Sequence, residues 1–121
     1  MPSQGAIKWN EMPWEKVNDQ ISRRVFRGDR LMAIMYKMKA PMVWPVEEHE
    51  AEQIEHLLSG KLEFTVNGET HVILPGDSFF VGSYIPHEGR IVEDMQSIVI
   101  FTPPRKELME EGQGFAPYAK K

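Results

Sequence analysis

Apolar and polar residues alternate along much of this chain, and the alternation has the period of a strand. Residues 61–67 are the clearest case: Leu62, Phe64 and Val66 interleave with Lys61, Glu63 and Thr65, as in a strand with one buried face. Asn67-Gly68 follows, and then a second run over residues 69–74. Asn and Gly accept the two positive φ angles of a type I′ turn, so the pair predicts a two-residue hairpin. Ser59-Gly60 separates residues 53–58 from Lys61, and Pro75-Gly76-Asp77 closes the run after the hairpin. Turn chemistry of this kind predicts three successive strands in a meander.

Further strands are expected at residues 30–38, which are rich in Met and Ile, and at 77–82, 89–92 and 96–102. The last carries Ile98, Val99, Ile100 and Phe101 without alternation, so both of its faces should be buried. An apolar outward face on a small barrel needs a second layer or a partner subunit, which motivates a homodimer. Pro103-Pro104 offers no N–H to a ladder and must end the pairing. Residues 105–111 then read as a short terminal helix, with a loosely attached tail beyond Gly112.

Short strands punctuated by nine glycines and nine prolines suit an all-β barrel. At 121 residues the chain is expected to form one domain, 1–121, with its barrel core at about 23–104. The net charge of −4 argues against nucleic acid, whose phosphates call for a clustered cationic surface, so a small molecule is the expected partner. No run approaches a membrane span and the first sixteen residues lack a signal-peptide pattern, so a cytoplasmic location is expected. With no cysteine, a metal could be held only by nitrogen and oxygen ligands.

Candidate chemistry lies in the stretch Glu47-Glu48-His49-Glu50-Ala51-Glu52-Gln53 and in Pro86-His87. Glu47 and His49 are two apart, so on a strand they project from one face, and Gln53 keeps that parity. Two imidazoles, a carboxylate and an amide oxygen suit one divalent ion, whether zinc, iron, manganese, nickel or copper, with positions open for water or substrate. The bland alternative is a solvated acidic run and two unrelated histidines. His56 and His71 fit no site, and Met32, Met35, Met38 and Met42 read as core or interface filling. Trp9, Trp14 and Trp44 could stack on a sugar ring but suit burial better.

Glu47-x-His49-x3-Gln53, Gly60, Pro75-Gly76-Asp77 and Pro86-His87 together resemble the two motifs of the cupins. More narrowly, Glu52-Gln53-Ile54, residues 58–66 and Phe101-Thr102-Pro103-Pro104-Arg105 are similar to the small pectin-degradation cupins of the KdgF type, over roughly residues 23–108. The resemblance implies a double-stranded β-helix, a dimer, and a metal-dependent conversion of ring-form unsaturated uronates to the linear keto form. It implies Glu47, His49, Gln53 and His87 as metal ligands, with Phe101 and Arg105 near the substrate. Arg105 could clamp a carboxylate bidentately.

Two positions depart from the family. Glu47 stands where its first metal histidine is expected, adding negative charge to the shell and favouring harder ions. Val99 stands in place of an acidic residue and cannot relay a proton. Glu55 shares parity with Gln53 and is the candidate replacement, because a carboxyl inside a barrel tends to a raised pKa suited to acid–base work. The leading expectation is a metal-dependent enzyme that isomerises a small carboxylated or hydroxylated substrate. The alternatives are a metal-dependent dioxygenase and a non-catalytic cupin that binds a small ligand.

Overall fold

The structure, a computed structural model, describes residues 5–108. Its strands are β1 (Glu15–Lys16), β2 (Ile21–Arg27), β3 (Met32–Met38), β4 (Met42–Glu47), β5 (Glu52–Val66), β6 (Glu69–Ile73), β7 (Ser78–Val81) and β8 (His87–Thr102). β5 and β8 pair antiparallel along nearly their whole lengths, from Glu52↔Thr102 to Val66↔His87. The first half of β5 and the last half of β8 are flanked by β7 and by the run β3–β2–β1. Their other halves are flanked by β6 and β4. Two layers therefore share two long bent strands, which is the double-sheet arrangement of a jelly roll.

The bend is written at Gly60. Its φ is +91, and a Cβ there would collide with the Asp94 carbonyl oxygen and lie 2.6 Å from Met95 Cα. Only glycine lets β5 and β8 approach so closely. The ladder slips between Leu57 and Leu62, so buried positions change parity, from Gln53 and Leu57 before the bend to Leu62 and Phe64 after it. The interior is filled by Ile21, Met32, Ile34, Leu57, Val81, Ile91, Met95 and Val99.

The Asn67-Gly68 hairpin is present, with φ of 52° and 76°. Ser59-Gly60, however, bends one continuous strand instead of separating two, so the expected three-strand meander reduces to the β5–β6 hairpin. Residues 89–92 and 96–102 likewise belong to one strand, β8. Within this chain β8 does not bury both faces: Ser97, Val99 and Phe101 point inward, while Ile98 is half-buried and Ile100 is 38% exposed. The expected terminal helix is a 3-10 turn over Lys106–Leu108, closed by the Leu108 N–H donating to the Arg105 carbonyl. Leu108 is buried and its carbonyl accepts from Arg23 Nη1 at 2.6 Å, which fastens the turn to β2. The remainder of that helix and the tail lie outside the described residues.

Candidate metal centre and pocket

The interior opens into a cavity of about 60 Å³ that Glu47, Gln53, Glu55, His87, Phe101 and Arg105 all line. Each arrives by a different local device. β4 shifts register between Trp44 and Glu47, and this bulge turns both side chains, three apart, toward the interior. Trp44 Nε1–H then donates to Glu47 Oε2 at 2.7 Å. His49 lies beyond the end of β4, in the loop before β5. Its parity with Glu47 is therefore not what aims it; a hydrogen bond to Ala51 is. Gln53 enters from the start of β5, and His87 opens β8 directly across from Glu47.

Both imidazoles are oriented by backbone carbonyls. Nδ1 of His49 bonds the Ala51 oxygen at 2.8 Å, and Nδ1 of His87 bonds the Ile85 oxygen at 2.8 Å. A carbonyl only accepts, so each Nδ1 carries a proton, and in the neutral tautomer this selects the lone pair is on Nε2. Burial, with the Arg105 guanidinium, holds His49 below its ordinary pKa against the pull of Glu47, which keeps that ring neutral.

His49 Nε2 then faces Gln53 Oε1 at 3.0 Å and Glu47 Oε1 at 3.4 Å. Ligand atoms of Glu47, His49 and His87 lie within 4.8 Å of one another. Glu47 Oε1 is buried and accepts no well-directed hydrogen bond, although Arg105 Nη1 is 2.9 Å away. Lone pairs converging without protons between them are what a divalent cation relieves, and the nitrogen-and-oxygen set matches zinc, iron, manganese, nickel or copper. The residues fit a metal.

Arg105 is buried and heavily engaged. It pairs with Glu47 and with Glu107, at 2.9 Å each, and its guanidinium lies 5.0 Å from the centre of the Phe101 ring. Phe101 in turn meets His49 edge-on at 5.8 Å. Glu55 points inward, its Oε2 accepting from Ser97 Oγ at 2.7 Å. Burial pushes its pKa up to about 7, the Ser97 hydrogen bond opposes this, and the Glu47 charge adds to it. Glu55 and Val99 are direct cross-strand partners, so this carboxyl stands across the ladder from the position where the family's acid is expected.

Sequence reasoning overlooked Trp44 as a partner of Glu47, because no parity rule anticipates a bulge. It also overlooked Ser97, which its parity with Val99 and Phe101 could have revealed. His56 bonds Ser78 and His71 pairs with Glu69, both on exposed strand faces. Met32, Met35, Met38 and Met42 are all buried. Trp14 lies outside the pocket, with Arg24 at 4.0 Å and Lys37 at 4.4 Å from its ring centre.

Two layers sharing bent strands, with an inward cluster of His, Glu and Gln, define a cupin. The family model described as Cupin domain matches residues 38–102, and the chain belongs to that family. Within it, this is a small cupin similar to KdgF. It is 25% identical over 104 residues to the pectin degradation protein KdgF of Dickeya dadantii, covering 83% of this chain and 94% of that one. The solved structure of KdgF from Halomonas sp. superposes with a TM-score of 0.77 at 28% identity, covering 83% of this chain and 95% of that one. Dimethylsulfoniopropionate lyase DddQ of Ruegeria pomeroyi is 30% identical over 95 residues, which are 69% of this chain and 47% of that protein. The matched region is thus about half of DddQ. Among the described residues no helix is long and apolar enough to cross a membrane.

Proposed function

We propose that this cupin holds one divalent metal on Glu47, His49, Gln53 and His87 and moves a proton between carbon and oxygen of a small carboxylated or hydroxylated substrate. The observation that carries the reading is the convergence of an Nε2 lone pair and two side-chain oxygens, with His87 beside them, in the pocket that Glu55 also lines. Bound there, the metal supplies a Lewis acid for a substrate oxygen. Glu55 handles the proton. With a pKa of about 7 its carboxyl is close to half-protonated at neutral pH, so it can take a proton from carbon and return one to oxygen. Ser97 holds that carboxyl in place, and Phe101 and Arg105 form the wall where a substrate carboxylate would meet a cation.

Ring opening of unsaturated uronates is the named example, supported by the likeness to KdgF and by Glu55 facing Val99 across the ladder. Elimination beside a carboxylate begins with the same proton abstraction, and the name of the Ruegeria relative, a lyase, favours it as the second reading. A homodimer is part of the proposal. Phe80, Ile54 and Ile100 are cross-strand neighbours on the outer face and are 58%, 46% and 38% exposed, an apolar row that a second copy would cover.

Elemental analysis of purified, dialysed protein, beside a His49→Ala/His87→Ala variant prepared identically, tests the site. Near-stoichiometric metal in the wild type and loss in the variant are expected. Two empty preparations whose melting temperatures ignore added divalent ions would sink the metal reading. In metal-loaded protein Glu55→Gln should keep the ion and lose turnover. Oxygen uptake during turnover would instead identify a dioxygenase.

A further inference from the structure

The wall of the cavity is divided. Several of its polar side chains are committed to one another, Trp44 Nε1 to Glu47, Arg105 to Glu47 and Glu107, and Glu55 to Ser97, while Gln53 Oε1 faces the His49 Nε2 lone pair at the proposed metal site. Tyr36 meets Trp44 edge-on at 6.1 Å, and Glu88 also reaches the lining. The rest of the wall includes Met38, Leu62, Phe64, Phe79, Ile91 and Met95, whose side chains offer no hydrogen bond beyond the weak acceptor of a thioether. Phe64 and Phe79 stack at 4.0 Å and close one side.

From this division we infer that the substrate is a compact carboxylate with a short, mostly apolar body, and not a polyhydroxylated ring, which keeps the proposed metal site and proton transfer but sets the uronate example aside in favour of elimination beside a carboxylate. The inference rests on the proposed metal site and the Arg105 beside it, which together receive the carboxylate, and adds what the remainder of the cavity accepts. A space of about 60 Å³ takes about five water-sized groups, which suits a short branched acid. A ring bearing several hydroxyls would set some of them against Phe64, Phe79 and the methionines, where each loses its water without gaining a partner. A short alkyl body loses nothing there and leaves water for a matching surface.

The test uses the full chain loaded with zinc, which is redox-inert, with isobutyrate, cyclohexanecarboxylate and galacturonate as probes in ligand-detected NMR titrations. Isobutyrate should bind about tenfold or more tightly than galacturonate, and the wild type should also reject cyclohexanecarboxylate on size. Phe79→Ala, which opens the apolar wall, should admit cyclohexanecarboxylate and still reject galacturonate. Galacturonate binding as well as isobutyrate, in either protein, overturns the inference, and so does failure of isobutyrate to bind zinc-loaded wild type. Zinc content is measured on the same samples, so a chain that takes up no zinc counts against the metal site, whereas a loaded chain that prefers galacturonate counts only against the compact substrate.

Discussion

Glu47 and Glu55 are the same residue type in the same pocket, yet their surroundings divide the work between them. Glu47, at the end of β4, is met by a guanidinium at 2.9 Å and by an indole N–H at 2.7 Å. Glu55, on the β5–β8 seam, has a hydroxyl as its hydrogen-bond partner and lines the interior cavity, and its pKa rises to about 7. A cationic partner keeps a carboxylate available as a ligand, and a neutral one leaves it able to exchange a proton. Identity along the chain says little about role; the partner decides.

The largest effect should come from removing the cation on one side of this contrast. Arg105→Met leaves the Glu47 charge buried and uncompensated, and should cost the metal-free protein about 3 kcal/mol in urea denaturation. Adding Glu47→Leu to the same chain should recover most of it. If Arg105→Met alone is neutral, the pair does not hold Glu47, and the contrast collapses.

Next is the pH dependence on the other side. Glu55 has a folded pKa above its unfolded one, so its contribution to stability is complete below about 4.5 and is lost as pH rises through about 7. From the two values the loss is about 3 kcal/mol at most. Glu55→Gln should therefore gain on the wild type between pH 5 and pH 8, as followed by denaturation midpoints across that range. Parallel pH profiles for the two proteins would show that Glu55 titrates in its ordinary range.

Smaller effects sharpen the comparison. Trp44→Phe removes a hydrogen bond to a charged group and should cost about 2 kcal/mol; Ser97→Ala removes one to a carboxyl that is half neutral and should cost about 1 kcal/mol. Calorimetric melting distinguishes them, and a reversed order would mean the charges are not arranged as described.

Much of the architecture could be read from alternation and turn chemistry. Residues 61–67 and Asn67-Gly68 give their hairpin because side-chain period and turn geometry are local properties. β2 and β4 were not anticipated: Ile21–Arg27 carries three arginines, and Met42–Glu47 contains Pro45, which is tolerated in a strand that pairs with β8 alone. The bend at Gly60 resembled a turn because positive φ suits both, and only the approach of Asp94 and Met95 tells them apart. His49, Gln53 and His87 stood out in the sequence by motif spacing. Trp44 did not, since its role depends on a bulge in β4 that has no sequence period.

The bent seam also has a kinetic meaning. His49 precedes the start of β5, whereas His87 begins β8 opposite the far end of β5, yet their rings are 4.9 Å apart. They meet where β4 pairs with the start of β8, Glu47 facing His87, and the bent β5–β8 ladder closes round the same cluster; such non-local pairing is the slow part of forming an all-β chain. Metal offered to a refolding chain would therefore be captured once β4 has met β8, so the ion would serve as a stopwatch for that pairing.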